Sequence, residues 1–284
     1  MAGNSATTTI EEKKTLEGPK YDLAALLLER GAISFVKNAS EAGAQNGDVP
    51  ENIEKILDNT VNFRLNFGKV LNNVDEVSKY IAEYIADNIY YKKTNGNGHT
   101  TEGTENGNAK QPITHIHGPA SSGISLASHI KTYLKERRSI EGIGWSYSKK
   151  ENGEVTGEIN KGDKVVIVDD FLGSGKTIRE TYERIKKSQP EAEIVGVVVA
   201  MDTMEVDEKN RYVIDGIKED LGICVHALVS IKDVGETFHN KKMGNDGIVY
   251  VDDTAMKGLK SYLKKKRYQI KHQEPIENYL EEEE

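Results

Sequence analysis

Val165 to Thr177 reads V-V-I-V-D-D-F-L-G-S-G-K-T. Four β-branched apolar residues run into the acidic pair Asp169 and Asp170, a Gly-rich turn follows, and Thr177 opens a helical pattern. An apolar run of this length between Gly-containing turns predicts a buried parallel strand, since such strands are covered on both faces. The turn and helix start after it are suited to hold a phosphate on backbone N–H groups and the positive helix end. Two carboxylates just ahead of that cradle repel a phosphate, but they suit the hydroxyls of a sugar that carries one. The stretch reads as a sugar-phosphate site. A nucleotide-binding P-loop is excluded, because Asp170 stands where that loop needs Gly, five positions before Gly175. The plainer alternative is a strand-end turn followed by a helix cap.

Downstream, a helix is expected over Ile178 to Lys187, a strand over Glu193 to Ala200, a helix over Tyr212 to Leu221 and a strand over Ile223 to Ile231. Upstream, a strand over Ile113 to His117 leads through the turn G-P-A-S-S-G (Gly118 to Gly123) into a helix over Ile124 to Lys135. A strand over Ile143 to Tyr147 follows, then a long polar loop from Ser148 to Gly162. The alternation predicts an α/β fold, a doubly wound and mainly parallel sheet. Such sheets bind ligands at the carboxyl ends of their strands, where both Gly-rich turns fall. The loop segment K-K-E-N-G-E, Lys149 to Glu154, reads either as a lid that excludes water or as a solvated hairpin. His115 and His117 lie two apart on one strand and face the same way. Packing or hydrogen bonding is favoured over metal binding there, because no nearby acid or Cys completes a ligand set.

Nearer the N-terminus a helix is expected over Tyr21 to Arg30, a short strand or turn over Ala32 to Lys37, and a loose polar stretch to Asn59 holding a short helix at Glu51 to Leu57. A half-buried strand is read over Val61 to Val70 and a strong helix over Val74 to Tyr91. Residues 1–18 are polar and read as disordered, and the Gly/Asn/Thr-rich segment 94–108 as a mobile insertion. Residues 254–284 read as a charged C-terminal extension with a solvated helix face and an acidic end at Glu281 to Glu284. Over 284 residues the formal net charge is −8, which argues against nucleic acid as a partner. No run of about 18 apolar residues exists, so no membrane partner is expected. The N-terminus lacks a signal-peptide pattern and the single cysteine, Cys224, forms no internal disulfide, so a cytoplasmic location is expected.

Together these pieces resemble the type I phosphoribosyltransferases, and within them the orotate phosphoribosyltransferases. V-V-I-V-D-D-F-L-G-S-G-K-T is similar to that family's motif for phosphoribosyl pyrophosphate (PRPP). H-G-P-A-S-S-G-I-S-L-A resembles the orotate branch's G-P-A-Y-K-G-I-P-L-A. K-E-N-G-E (Lys150 to Glu154) resembles its loop K-D-H-G-E, L-N-F-G (Leu65 to Gly68) its F-N-A-G, and M-D-T-M-E (Met201 to Glu205) its L-D-R-Q-E. The run G-I-C-V-H-A-L-V-S-I-K-D-V resembles the strand and helix near that family's end.

The resemblance implies a phosphoribosyltransferase domain over 19–253 with a small N-terminal hood over 19–72, acting as a homodimer. It implies an enzyme that transfers the ribose 5-phosphate of PRPP to a nucleobase, with orotate the leading acceptor and Mg²⁺ as cofactor. Asp169 and Asp170 would bind the ribose hydroxyls, and Gly173, Ser174, Gly175, Lys176 and Thr177 the 5-phosphate. Lys150 would act in catalysis on the pyrophosphate, with Lys149 and Ser122 nearby, while Lys37, Arg64 and Thr203 would lie on the base side, Lys37 also touching PRPP. The chain departs from the orotate pattern at Ser122 and Thr203, which replace a Lys and an Arg, at Arg64 and Leu65, which replace an aromatic pair, at Asn152, and at Gly173. These departures leave two alternatives open: transfer to another, purine-like base, or a PRPP- or nucleotide-binding regulatory protein without catalysis.

Overall fold

The computed structural model describes residues 15–35, 63–89, 113–149 and 153–272. The expectations for 1–14, for Lys37 and the stretch to Asn59, for the 94–108 insertion, for Lys150 and Asn152, and for the acidic end lie outside the described residues. Helix α1 (Gly18–Glu29) carries Pro19 in its first turn and buries Leu23, Ala24, Leu27 and Leu28. Strands β1 (Ile33–Phe35) and β2 (Phe63–Leu65) form an antiparallel ribbon with Ile33 opposite Leu65. Helix α2 (Phe67–Leu71) follows at once, then α3 (Val74–Tyr84), which widens into a π-helical turn at Ile85–Ile89. The expected strand over Val61 to Val70 is therefore cut short. Asn66 turns its side chain to accept from the Lys69 amide, capping α2, and a helix cap overrides the alternating pattern.

From there the α/β rhythm runs as expected: β3 (His115–Pro119), α4 (Ser122–Arg138), β4 (Gly144–Ser148), β5 (Val155–Thr156), β6 (Lys164–Leu172), α5 (Lys176–Ser188), β7 (Glu193–Asp202), α6 (Val213–Leu221), β8 (Val225–Ser230) and α7 (Ile231–Phe238). A small ribbon, β9 (Lys242–Met243) with β10 (Ile248–Val249), precedes the long helix α8 (Asp253–His272). The six-stranded sheet has the order β5-β4-β3-β6-β7-β8, parallel throughout except for β5, which returns antiparallel to β4 as a hairpin.

Side chains alternate between two apolar layers. Val166 and Val168 of β6 join α1, α3, α4, α7 and α8 on one face, while Val165 and Ile167 join α5 and α6 on the other. Each such fully buried Val or Ile contributes roughly 1.5–3 kcal/mol of transfer free energy, which is why a continuous apolar run specifies the sheet's centre. The C-terminal segment is an amphipathic helix: one side of α8 enters the core through Ala255, Met256, Leu259 and Tyr262, while the side with Lys257, Lys260 and Lys264 faces solvent. Among the described residues no helix is long and apolar enough to cross a membrane.

Candidate active site

Strand β6 carries Asp169 and Asp170 to its carboxyl end, where both are buried, at 7% and 2% exposure. Asp169 Oδ1 accepts from the Asp170 amide at 3.0 Å and from Ser122 Oγ, a long bond of 3.4 Å that crosses from the start of α4. Asp170 Oδ1 accepts from the Phe171 amide at 2.8 Å. Its second oxygen, Oδ2, is buried without a donor among the described residues. Burial raises both carboxyl pKa values, and for Asp169 the neighbouring Asp170 charge adds to the effect. The Ser122 hydroxyl and the Phe171 amide draw Asp170 only part of the way back. Two carboxylates stripped of water and short of donors are matched to hydroxyls or to a cation.

The turn after β6 is shaped for close approach. Gly175 caps α5 in the left-handed region at φ +76°, where a Cβ would fall 2.7 Å from Val213 Cγ1. No side chain caps α5, so its first N–H groups keep their affinity for an anion. Ser174, Lys176 and Thr177 are exposed there, and open space surrounds the position a Cβ would take on Gly173. The second Gly-rich turn is tighter. A Cβ on Gly118 would fall 1.9 Å from the Gly123 carbonyl oxygen, so β3 and α4 meet with backbone against backbone. The Ala120–Ser121 peptide in this turn is cis.

The structure thus brings Ser122, Asp169 and Asp170 together and sets 173–177 directly after them. Lys149 sits exposed at the root of the β4–β5 hairpin, its amide donating to the Glu154 carbonyl at 3.1 Å. Arg64 lies half-buried in the middle of β2, opposite Ser34. Thr203 is buried, and both its amide and its hydroxyl donate to the Leu172 carbonyl, at 3.0 and 2.7 Å. That hydroxyl holds the ends of β6 and β7 together. His115 and His117 are hydrogen-bonded to serine hydroxyls, as the sequence favoured, and among the described residues no group of three or more His, Cys, Asp or Glu is arranged to hold a metal.

The sequence did not expose a polar cluster behind the 201–205 segment. Asp202 accepts from the Tyr212 hydroxyl at 2.7 Å and from the Met204 amide at 2.8 Å, which steadies Met204 at φ +60°. Tyr262 of α8 lies within 2.9 Å of the Thr203 carbonyl and 2.7 Å of Glu205 Oε1, and Lys266 Nζ lies 2.7 Å from Glu205 Oε2. Burial, together with Glu205, raises the Tyr262 pKa, so the phenol remains a donor. Tyr262 also meets Phe63 of β2 edge-on at 5.4 Å, joining α8 to the N-terminal ribbon. The spacing Met256, Leu259, Tyr262, Lys266 was the available signal, masked by the basic residues between them.

The parallel sheet thus sets a buried acid pair and two Gly-rich turns at one edge. The phosphoribosyl transferase domain family matches residues 83–231, and the chain belongs to it. It is a pentosyltransferase of the type I phosphoribosyltransferases, with its similarity in the orotate branch. It is 30% identical over 164 residues to an orotate phosphoribosyltransferase from Clostridium botulinum, covering 55% of this chain and 71% of that relative. The fold is similar to that of an orotate phosphoribosyltransferase from Francisella tularensis, at a TM-score of 0.56 and 20% identity over 84% of this chain and 96% of that one. It is also similar to UMP synthase from Leishmania donovani, at a TM-score of 0.57 and 17% identity, over 87% of this chain and 42% of that longer one.

Proposed function

We propose that the chain transfers the ribose 5-phosphate of PRPP to orotate, giving orotidine 5-monophosphate and pyrophosphate. The observation that carries the reading is the buried Asp169–Asp170 pair, with one carboxylate oxygen unpartnered among the described residues, ahead of a helix start that no described side chain caps. In this reading Asp169 and Asp170 accept hydrogen bonds from the ribose hydroxyls. The amides and side chains of Gly173, Ser174, Gly175, Lys176 and Thr177 hold the 5-phosphate. Ser122 and Lys149 would serve the pyrophosphate, with Lys150 as the catalytic cation. Lys37, Arg64 and Thr203 would serve the acceptor. The Thr203 hydroxyl is already engaged by Leu172, so Thr203 contributes shape, and Arg64 is the cation for an acceptor carboxylate. The acceptor ring nitrogen gives up its proton to solvent and forms its bond to ribose C1 as the C1–O bond breaks, and pyrophosphate leaves with the electron pair.

The buried Asp169–Asp170 pair, with one Asp170 oxygen unpartnered among the described residues, would accommodate the Mg²⁺ that accompanies PRPP. Mg²⁺, when bound, neutralises charge on the departing pyrophosphate. The chain's part is to orient the ribose and exclude water from a cation-like sugar. A cytoplasmic homodimer completes the reading.

A second reading, transfer to a purine-like base, is favoured by the open space at Gly173 and the engaged Thr203 hydroxyl. Incubation with PRPP, Mg²⁺ and a panel of bases, following pyrophosphate release, separates the two. Release with orotate supports the first reading, and release only with another base supports the second. Saturable PRPP binding without release from any base would establish a regulatory binding protein instead.

A further inference from the structure

Two histidines that the transfer reaction leaves unused lie in one continuous run of hydrogen bonds. His115 and His117 point to the same side of β3, and β4 answers with Ser146 and Ser148. Ser146 Oγ is 2.8 Å from both His115 Nε2 and His117 Nδ1, and Ser148 Oγ is 2.8 Å from His117 Nε2. At the other end His115 Nδ1 lies 3.7 Å from Asp163 Oδ2. That carboxylate is itself held by the Thr114 hydroxyl and the Asn160 amide. Both rings and both hydroxyls are buried. Gly144 makes the room, since a Cβ there would fall 2.6 Å from His115 Nδ1.

The Asp163 carboxylate favours one polarity for the run. With His115 protonated on Nδ1, toward Asp163, its Nε2 accepts from the Ser146 hydroxyl. Ser146 in turn accepts from His117 Nδ1, and His117 Nε2 accepts from the Ser148 hydroxyl. With neutral imidazoles each of the three His–Ser contacts has one donor and one acceptor. Burial, with His115 and Arg184 nearby, lowers His117 to a pKa of about 3. Burial also lowers His115, with Asp163 opposing and Lys131 adding.

The run ends where β3 passes into the Gly118–Ser122 turn and β4 passes into Lys149, because Pro119 and Ser148 are opposite each other. We propose that His117, acting through Ser148, is a positioning residue for the pyrophosphate half of the PRPP site, fixing the Gly118–Ser122 turn against Lys149. The inference rests on the PRPP site proposed above. The acid pair, near the carboxyl end of β6, and the 173–177 turn after that strand lie outside the run of bonds, and the long Ser122–Asp169 contact joins the two halves.

The test is calorimetric titration of the full chain, in Mg²⁺, with inorganic pyrophosphate, ribose 5-phosphate and PRPP. Ser148→Ala should raise the dissociation constants for pyrophosphate and PRPP about 5- to 10-fold, the weight of one buried hydrogen bond. Ribose 5-phosphate affinity should change less than about 2-fold on the same scale. Ser148→Thr should restore pyrophosphate affinity, and in a Lys149→Ala background Ser148→Ala should add no further loss. Equal losses for ribose 5-phosphate and pyrophosphate would reduce the run to a structural role and overturn the proposal. So would unchanged pyrophosphate binding or additive losses with Lys149→Ala. Should Ser148→Ala unfold, Ser148→Cys carries the same comparison. No acceptor base enters these titrations, so a failed orotate assay leaves them decisive. A wild-type chain that binds no PRPP would instead remove the PRPP site itself.

Discussion

Asp169 and Asp170 are costly to ionise where they are buried. Without a ligand, burial raises both carboxyl pKa values above the unfolded range near 4. The folded state then holds protons that the unfolded chain releases, so stability falls as pH rises from the unfolded value through the folded one. Above the folded pKa values the penalty is complete, and below the unfolded value it is gone. Asp169→Asn with Asp170→Asn should remove this downward slope, seen as a stability gap that widens with pH when urea unfolding is compared from pH 4 to pH 8. A gap independent of pH would contradict the burial account. The same double variant should weaken PRPP binding by at least about 100-fold, the weight of two hydrogen bonds to charged groups. At this scale the acid pair and its turn were legible, because strand, acids and glycines are contiguous. The His117 run was not, because its serine partners lie 29 and 31 residues away. Nor was the engagement of Thr203, whose partner Leu172 is 31 residues away.

Helix α8 shows how a charged surface conceals a core element. Its sequence is dense in lysine, yet Leu259 and Tyr262 are almost fully buried, at 1% and 2% exposure. Tyr262→Phe keeps the ring but leaves the Thr203 carbonyl and Glu205 without their phenol donor. It should cost about 1–3 kcal/mol in denaturant unfolding. Gly235 of α7 is where α8 packs closest, since a Cβ there would fall 2.1 Å from Leu259 Cδ2. Gly235→Ala should therefore destabilise by roughly 1–3 kcal/mol through overpacking, read as a lowered urea midpoint. The Val61 to Val70 expectation failed for a related reason. Alternation of apolar residues continues past Leu65, but the Asn66 side chain satisfies a backbone donor that only a helix start leaves free. Asn66→Ala should cost about 1 kcal/mol by the same measure.

For the molecule as a whole, α/β alternation was enough to predict the sheet, because buried parallel strands must be apolar throughout. The order of strands was not legible, since β3 pairs with β6 across the intervening β4–β5 hairpin. The covering of one sheet face by helices from both ends of the chain was equally hidden. Helices α1, α7 and α8 share a single apolar layer with α3 and α4. Through Phe63 and Tyr262 that layer links the N-terminal ribbon to the 203–205 segment. The 203–205 segment is thus held by parts distant in sequence, whereas the acid pair and the 173–177 turn are continuous. The central claim is that this edge of the sheet joins ribose 5-phosphate to orotate. Its most direct measurement is product formation from PRPP, Mg²⁺ and orotate, with Asp169→Asn/Asp170→Asn protein as the control. The account predicts orotidine 5-monophosphate and pyrophosphate in equal amounts from the wild type and neither from the control. Equal product from both proteins, or none from the wild type while it binds PRPP, would contradict it.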